Sequence, residues 1–171
     1  MDAKSVLEQK VGTVSSDREQ ESFFDGHAWV GYRTYVKLVR ENSGCYAPYE
    51  IGSPTDVYKA FGKLSECDRE RFYAVHLDGQ NRVCGVELVS QGTVGSSPVT
   101  PREVYKSAIL ANASGLILVH NHPSGVPAPS ADDRSITQTL KESGRVLDIP
   151  IYDHVIIGDG KYFSFAEAGL L

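Results

Sequence analysis

The sequence has few cysteines, no long apolar run and no excess of basic residues, and each shortage excludes a class of protein. Cys45, Cys67 and Cys84 are far apart and form no C-x-x-C pair, so a disulfide framework or a cysteine zinc finger is not expected. No apolar run approaches the roughly 20 residues of a membrane helix. Residues 1–20 contain no apolar segment behind a basic start, unlike a secretory signal. We therefore expect a cytoplasmic protein.

The charge balance is acidic. The 171 residues include 17 Lys and Arg against 22 Asp and Glu, which gives a net charge of −5 and a pI near 5.5. A broad electrostatic surface for DNA is therefore not predicted, and only a small local basic patch would be compatible with these totals. The length and the hydrophobic fraction of 41% suit one domain with a substantial core.

Two regions differ in their patterning. Residues 1–28 are polar and lack a sustained hydrophobic period, which predicts a flexible tail, with a short helix over residues 3–10 as the alternative. Residues 29–171 are predicted to form a single domain, beginning with a strand over residues 35–40. From there, helical and strand patterns alternate, which predicts the α/β class with a mixed sheet flanked by helices.

Capping residues predict where the helices begin and end. Ser53, Thr100 and Ser130 each precede an amphipathic stretch and are placed to cap its first turn. Glycines are common just after helix ends, so Gly115 and Gly144 are predicted to close the second and third helices. Between the first two helices, "ERFYAVHLDGQNRVCGVELV" predicts a hairpin around the turn "DGQN".

The stretch "HNHPSGVPAPSADD", residues 120–133, is the strongest candidate for chemistry. The preceding "LILVH" is a continuous apolar run, typical of a central strand buried on both faces. Residues i and i+2 of a strand point to one face, so His120 and His122 can aim two imidazoles at one point. A catalytic zinc site typically has three protein ligands, and Asp133 can supply the third because "PSGVPAP" lets the chain turn back.

Each part of this pattern also has an ordinary structural interpretation. Ser130 and Asp133 alone form an S-x-x-D capping box, which is common at helix starts. A lone pair of histidines is also more often structural than metal-binding. Their combination at the end of a buried strand, where open α/β sheets place their sites, favours a metal site.

A hydrolytic zinc site also needs a general base that does not itself bind the metal. The candidates are Glu70, Glu87 and Glu103. Glu70 begins the first strand of the predicted hairpin and Glu87 lies in the second, whereas Glu103 has a structural use in a capping box. Composition alone does not choose among them.

Four residues together identify a known motif. His120, His122, Ser130 and Asp133 match the JAMM metalloprotease pattern: H-x-H, seven residues, S, two residues, D. The surrounding "VTPREVYKSAILANASGLILVHNHPSGVPAPSADD" and "YDHVIIGDGKYFSFAEAGLL" closely resemble the RadC family, whose domain is called JAB or MPN. The resemblance covers residues 30–171. It implies an MPN fold related to the cytidine-deaminase-like group. The chain departs from the family in one respect: only about 28 polar residues precede Trp29, too few for the N-terminal helix-hairpin-helix-like region of many RadC proteins, so we expect a short form.

The resemblance also implies roles for individual residues. It implies a Zn²⁺ site formed by His120, His122 and Asp133. Ser130 would help to stabilise an oxyanion, and Glu70 would be the catalytic base, with Glu66 as the neighbour most easily mistaken for it. The implied function is a zinc metallopeptidase that hydrolyses a peptide or isopeptide bond in a peptide or protein substrate.

Two other functions compete with this one. The alternative is a DNA-repair-associated binding module whose zinc is structural or vestigial, and salt-dependent DNA affinity would favour it. A zinc nucleobase deaminase is disfavoured because the H-x-E and P-C-x-x-C signature is missing. Nearby, His154 is either a group behind the site or a hydrogen-bonded core histidine, and Asp153 could orient a ligand histidine. Asn121 must point away from the ligands, so a structural role is expected.

Overall fold

The structure is a computed structural model that describes residues 49–92 and 99–171. The predicted tail over residues 1–28, the boundary at residue 29 and the strand over residues 35–40 lie outside these residues. Within the described part, the elements are α1 (Pro54–Phe61), a 3-10 helix (Gly62–Glu66), β1 (Glu70–Leu77), β2 (Val83–Gly92), α2 (Pro101–Leu110), β3 (Gly115–Asn121), α3 (Ala131–Leu147), β4 (Ile151–Ile157) and β5 (Tyr162–Ser164). The predicted α/β class is confirmed.

The five strands form one mixed sheet in the order β2-β1-β3-β4-β5. β3 and β4 are parallel, whereas the other neighbouring pairs are antiparallel. All seven residues of β3 are buried, as its apolar run predicts for a central strand. The carboxyl ends of β3 and β4 therefore lie at the same edge of the sheet as the start of antiparallel β1. This edge carries the candidate site.

Alternate side chains of β1 and β3 face two apolar cores on opposite sides of the sheet, because successive residues of a strand point to opposite faces. One core packs against α2 and α3 and includes Phe72, Ala74, Val104, Tyr105, Ala108, Leu116, Leu118 and Leu140. The other packs against α1 and the 3-10 helix and includes Ile51, Val57, Leu64, Val75, Leu77, Ile117 and Val119. Each fully buried aliphatic side chain contributes about 1.5–3 kcal/mol to stability, so the central strands are held from both faces.

The predicted helix starts are confirmed, but two predicted helix ends are wrong. Ser53, Thr100 and Ser130 are the N-caps of α1, α2 and α3, and each side chain accepts a hydrogen bond from the third residue of its helix. In contrast, α2 ends at Leu110, and Gly115 begins β3. α3 continues through Gly144 to Leu147.

A left-handed residue, rather than a glycine, ends α3. Asp148 takes φ 56° after the last helical residue, and its backbone N–H donates to the carbonyl oxygen of Gly144. Gly144 is small for a different reason. A Cβ there would lie 2.5 Å from the carbonyl oxygen of Ile149 and against the hydroxyl of Tyr105. The glycine therefore permits a close approach between α3, α2 and the following loop.

The structure confirms the predicted hairpin. β1 and β2 are antiparallel neighbours, and Asn81 in the connecting turn takes φ 57°. Cys67 and Cys84 are free cysteines, while Cys45 lies outside the described residues. Among the helices of the described segments, none combines the length and apolar character needed to cross a membrane.

Candidate metal centre

The two histidines of the motif lie at the carboxyl end of the central strand. His120 is in β3 and is fully buried. His122 follows the strand, and its backbone N–H donates to the carbonyl oxygen of Ile157 at 3.0 Å, which extends the pairing with β4. Their Nε2 atoms approach to 3.0 Å. The alternation of strand side chains thus brings both imidazoles to one point, as predicted.

Asp133 reaches the same point from the first turn of α3. Its Oδ2 accepts from the backbone N–H of Ser130 and from the Ser130 hydroxyl, each at 2.7 Å, while the Ser130 Oγ accepts from the Asp133 N–H at 3.0 Å. Oδ1 lies 3.2 Å from His120 Nε2, and Oδ2 lies 3.4 Å from His122 Nε2. The capping box therefore holds the carboxylate against both imidazoles, so the structural and functional interpretations of the S-x-x-D pattern coexist.

The spacing of these three groups fits a metal ion. His120, His122 and Asp133 each offer one ligand atom, and these atoms lie within 4.8 Å of one another. Ligands at zinc's usual distance of about 2.0–2.1 Å in tetrahedral geometry are about 3.3 Å apart, close to the separations of 3.0, 3.2 and 3.4 Å. The His122 side chain is 17% exposed, so the cluster is open to solvent on that side.

The protonation of His122 also suits a ligand. Its Nδ1 lies 2.8 Å from the carbonyl oxygen of Val126. A carbonyl oxygen can only accept, so Nδ1 carries the proton and, in the neutral ring, Nε2 presents its lone pair to the cluster. Ligating histidines usually donate their second N–H to such an acceptor. The donor set therefore fits Zn²⁺, which binds imidazole nitrogen and carboxylate oxygen.

The electrostatics of the cluster favour a cation. The hydrogen bond to the Asp133 carboxylate raises the pKa of His122 above its usual value. Burial alone would raise the pKa of Asp133, but its contacts with the imidazoles of His120 and His122, which favour the carboxylate form, outweigh burial and hold that pKa well below its usual range. Asp133 is therefore a carboxylate at neutral pH, and its negative charge favours a cation within the cluster.

Glu70 lies close to this cluster. It begins β1 and is partly buried. Its negative charge is among the smaller influences that raise the pKa of His122, which places it within electrostatic reach of the ligands. Glu66 ends the 3-10 helix and is exposed. This arrangement favours Glu70 over Glu66 as the candidate base.

A known protein family matches this chain over the region that contains the candidate site. The family model described as RadC-like JAB domain matches residues 51–170. The chain belongs to the RadC-like JAB domain family. The resemblance identified from the sequence is thereby confirmed. The residues of the candidate site all lie inside the matched range.

Curated relatives of this RadC-like JAB domain come from both archaea and bacteria. A "UPF0758 protein" of Methanosarcina mazei is 45% identical over 123 residues, which cover 71% of this chain and 54% of that protein. A "UPF0758 protein" of Pelobacter propionicus is 48% identical over 120 residues, 70% of this chain and 52% of that protein. That of Desulforudis audaxviator is 54% identical over 103 residues, 60% and 45% respectively. The chain spans about half the length of these relatives, and their names state no activity.

The two other glutamates considered as bases have different surroundings in this RadC-like JAB domain. Glu87 lies in β2, and its charge acts on His76 and Lys106. Glu103 is exposed at the start of α2 and forms an ion pair with Lys106 at 2.9 Å. Glu103 is therefore engaged by Lys106, and the charge of Glu87 acts on groups outside the histidine cluster, so Glu70 is the candidate that the structure favours.

Asn121 has a more specific placement than the sequence suggests. It is fully buried. Its Oδ1 accepts from the Arg71 N–H at 2.9 Å, and its Nδ2 donates to the carbonyl oxygen of Arg69 at 3.1 Å. These two contacts flank Glu70. The residue between the two ligands thus holds the backbone on either side of the candidate base.

His154 lies behind the ligands, which is one of the two placements considered for it from the sequence. It is fully buried, and its Nε2 lies 2.8 Å from His120 Nδ1. Burial lowers the pKa of His154 well below its usual value. Asp153 instead accepts hydrogen bonds from Ser164 and Ala166 and from the backbone N–H of His154. His154, rather than Asp153, therefore contacts the ligand histidine.

Proposed function

We propose that this RadC-like JAB domain is a zinc-dependent metallopeptidase that hydrolyses a peptide or isopeptide bond. The observation that carries the proposal is the convergence of His120, His122 and Asp133 at ligand spacing, with Glu70 beside them and not among them. A base that is separate from the ligands distinguishes a hydrolytic site from a closed structural one. Family membership supports the same reaction class.

The chain's own residues supply the acid–base chemistry of the proposed reaction. Zn²⁺ held by the three ligands would act as a Lewis acid and lower the pKa of water to about 7. The Glu70 carboxylate accepts a proton from the attacking water, whose oxygen forms a bond to the carbonyl carbon. As the carbon–nitrogen bond breaks, Glu70 returns the proton to the departing amine nitrogen. The products are a carboxylic acid and an amine.

Ser130 has two roles in this proposal. Its hydroxyl donates to Asp133 Oδ2 at 2.7 Å, so in the absence of substrate it orients a ligand. To stabilise the developing oxyanion, the hydroxyl would rotate away from Asp133 toward the substrate oxygen. Asp133 would then retain the hydrogen bond from the Ser130 backbone N–H, also at 2.7 Å.

The test is hydrolysis of a panel of fluorogenic peptides and lysine-linked isopeptides by the zinc-loaded protein. Glu70→Gln keeps the size of the side chain but removes the base, so we expect a loss of about 100-fold to 10,000-fold in turnover. Glu66→Gln is the matched control and should retain activity, and both variants should retain zinc. Full turnover by Glu70→Gln would contradict the assignment.

Measuring DNA binding on the same zinc-loaded protein distinguishes this function from that of a binding module. A zinc-bound protein that cleaves no member of the panel, but binds DNA with an affinity that falls steeply with salt, would favour the DNA-repair-associated module. The net charge of −5 gives such binding no electrostatic support across the whole chain.

A further inference from the structure

A chain of hydrogen bonds connects the buried side of His120 to the backbone of Asp133. The Thr137 hydroxyl donates to the Asp133 carbonyl oxygen one turn earlier in α3. The Thr137 Oγ1 also lies 2.6 Å from His154 Nδ1. His154 Nε2 in turn lies 2.8 Å from His120 Nδ1. Two of the three ligands are therefore joined through two side chains that bind no metal themselves.

The Asp133 carbonyl oxygen fixes the direction of every hydrogen bond in this series. The Asp133 carbonyl oxygen can only accept a hydrogen bond, so the Thr137 hydroxyl must donate its one proton to it. The Thr137 oxygen can then only accept from His154, so His154 Nδ1 carries the proton. In a neutral ring, His154 Nε2 must then accept, and the donor is His120 Nδ1.

The surroundings of His154 keep its ring neutral and in place. The side chain is fully buried. Its ring stacks on Phe165 at 4.9 Å between centroids and meets the edge of Phe72 at 5.5 Å. A charged imidazole between two apolar rings would be strongly disfavoured. His154 therefore has one N–H and one lone pair, as the hydrogen-bond directions require.

We propose that His154 and Thr137 are positioning residues that fix the tautomer of His120, with Nδ1 protonated and the Nε2 lone pair presented to the metal. The inference rests on the proposed function only in taking this cluster as the metal site. His122 reaches the same state through the Val126 carbonyl. A backbone carbonyl thus fixes the tautomer of each ligand histidine. It does so directly for His122 and through two intervening side chains for His120.

The first test reads the tautomers in the zinc-free protein. Long-range ¹H–¹⁵N correlation spectra distinguish protonated from unprotonated imidazole nitrogens, and at about pH 8.5 free imidazoles are neutral. We expect His120 to be protonated at Nδ1 and His154 also at Nδ1. A wild-type His120 protonated at Nε2 would overturn the proposal. Since no zinc and no substrate are present, this result is independent of whether the protein is a peptidase.

The second test removes one hydroxyl. Thr137→Val takes away the group that sets the direction, and Thr137→Ser restores it. Thr139→Val is the matched control, because the Thr139 hydroxyl donates to the Ser135 carbonyl in the same helix at 3.0 Å and is exposed. We expect Thr137→Val to give mixed His120 tautomers and to weaken zinc binding by about 10-fold to 100-fold in competition with a chromophoric chelator.

The pattern across the variants decides the outcome. Thr137→Ser and Thr139→Val should keep the wild-type tautomers and zinc affinity. A folded Thr137→Val protein with wild-type tautomers and wild-type affinity would overturn the proposal, as would equal losses in Thr137→Val and Thr139→Val. If Thr137→Val does not fold, the wild-type spectrum and a His154→Gln variant still test the assignment. His154→Gln should likewise weaken zinc binding, and unchanged affinity would count against the proposal.

Discussion

Replacing Asn121 by alanine removes the two hydrogen bonds that flank the candidate base. The regular pairing of β1 with β3 stops at Phe72 and His120. Beyond that point the Asn121 amide continues the connection through the Arg71 N–H and the Arg69 carbonyl. Glu70 lies between these two contacts. The substitution should therefore loosen the start of β1 on the side that faces β3, while its pairing with β2 and the ligands stay in place.

The expected magnitude follows from what alanine leaves unpaired. A buried donor or acceptor that loses its partner costs about 1–3 kcal/mol. Arg69 is exposed, so water can replace the partner of its carbonyl, and most of the cost falls on the Arg71 N–H. We expect a local loss of about 2 kcal/mol, which corresponds to a decrease of about 30-fold in the hydrogen-exchange protection of the Arg71 amide. A base displaced by about 1 Å would lower turnover by on the order of 100-fold.

Hydrogen exchange measured by NMR on the wild type and Asn121→Ala tests this directly. The amides of β1 beyond Phe72 pair with the backbone of β3, so they are the internal control and should keep their protection. Zinc stoichiometry should also be unchanged. Unaltered protection at Arg71 in the folded variant would refute the reasoning, because the side chain of Asn121 would then not be holding that segment.

Three further perturbations test other parts of the structure. A Cβ at residue 144 would clash with both Tyr105 and Ile149, so Gly144→Ala should incur an overpacking cost of about 2–3 kcal/mol, the upper part of the usual range. A gain in helix propensity offsets about 1 kcal/mol, so the free energy of unfolding in urea should fall by about 1–2 kcal/mol, and an unchanged midpoint would contradict this. Ser130→Ala should cost about 1 kcal/mol of cap stability and weaken zinc binding through Asp133, and wild-type affinity would show that the capping box does not orient the ligand. Burial lowers the pKa of His76 below its usual 6.5, so below about pH 6.5 the unfolded chain binds a proton that the folded protein does not, and the free energy of unfolding should decrease as the pH falls through this range. His76→Gln should show a smaller dependence of the free energy of unfolding on pH in that range, and an equal dependence would exclude His76 as its origin.

The parts of the fold that the sequence predicts are those with a local signal. The apolar run before His120 predicts a central strand because burial on both faces leaves no polar position. Ser53, Thr100 and Ser130 predict helix starts because each side chain satisfies a backbone N–H only three residues away. The metal cluster is predictable for a similar reason, since H-x-H on a strand and S-x-x-D at a helix start each place side chains by local geometry.

The parts that the sequence does not predict depend on contacts between distant residues. Asn121 contacts residues 50 and 52 positions earlier, and no pattern around it indicates those partners. His154 and Thr137 lie 17 residues apart, on different elements, and only the packing of α3 against the sheet brings them together. The sequence predicts a helix end at Gly144, whereas the structure shows that its small size is required by the approach of Tyr105 and Ile149.

The most direct test of the metal centre is the zinc content of the purified protein, measured by inductively coupled plasma mass spectrometry. The wild type should bind close to one zinc per chain, and His122→Ala and Asp133→Ala should lose it while remaining folded. Ser124→Ala, in the exposed loop after His122, is the control and should retain the metal. A folded wild type that takes up no zinc even when zinc is supplied would contradict the account.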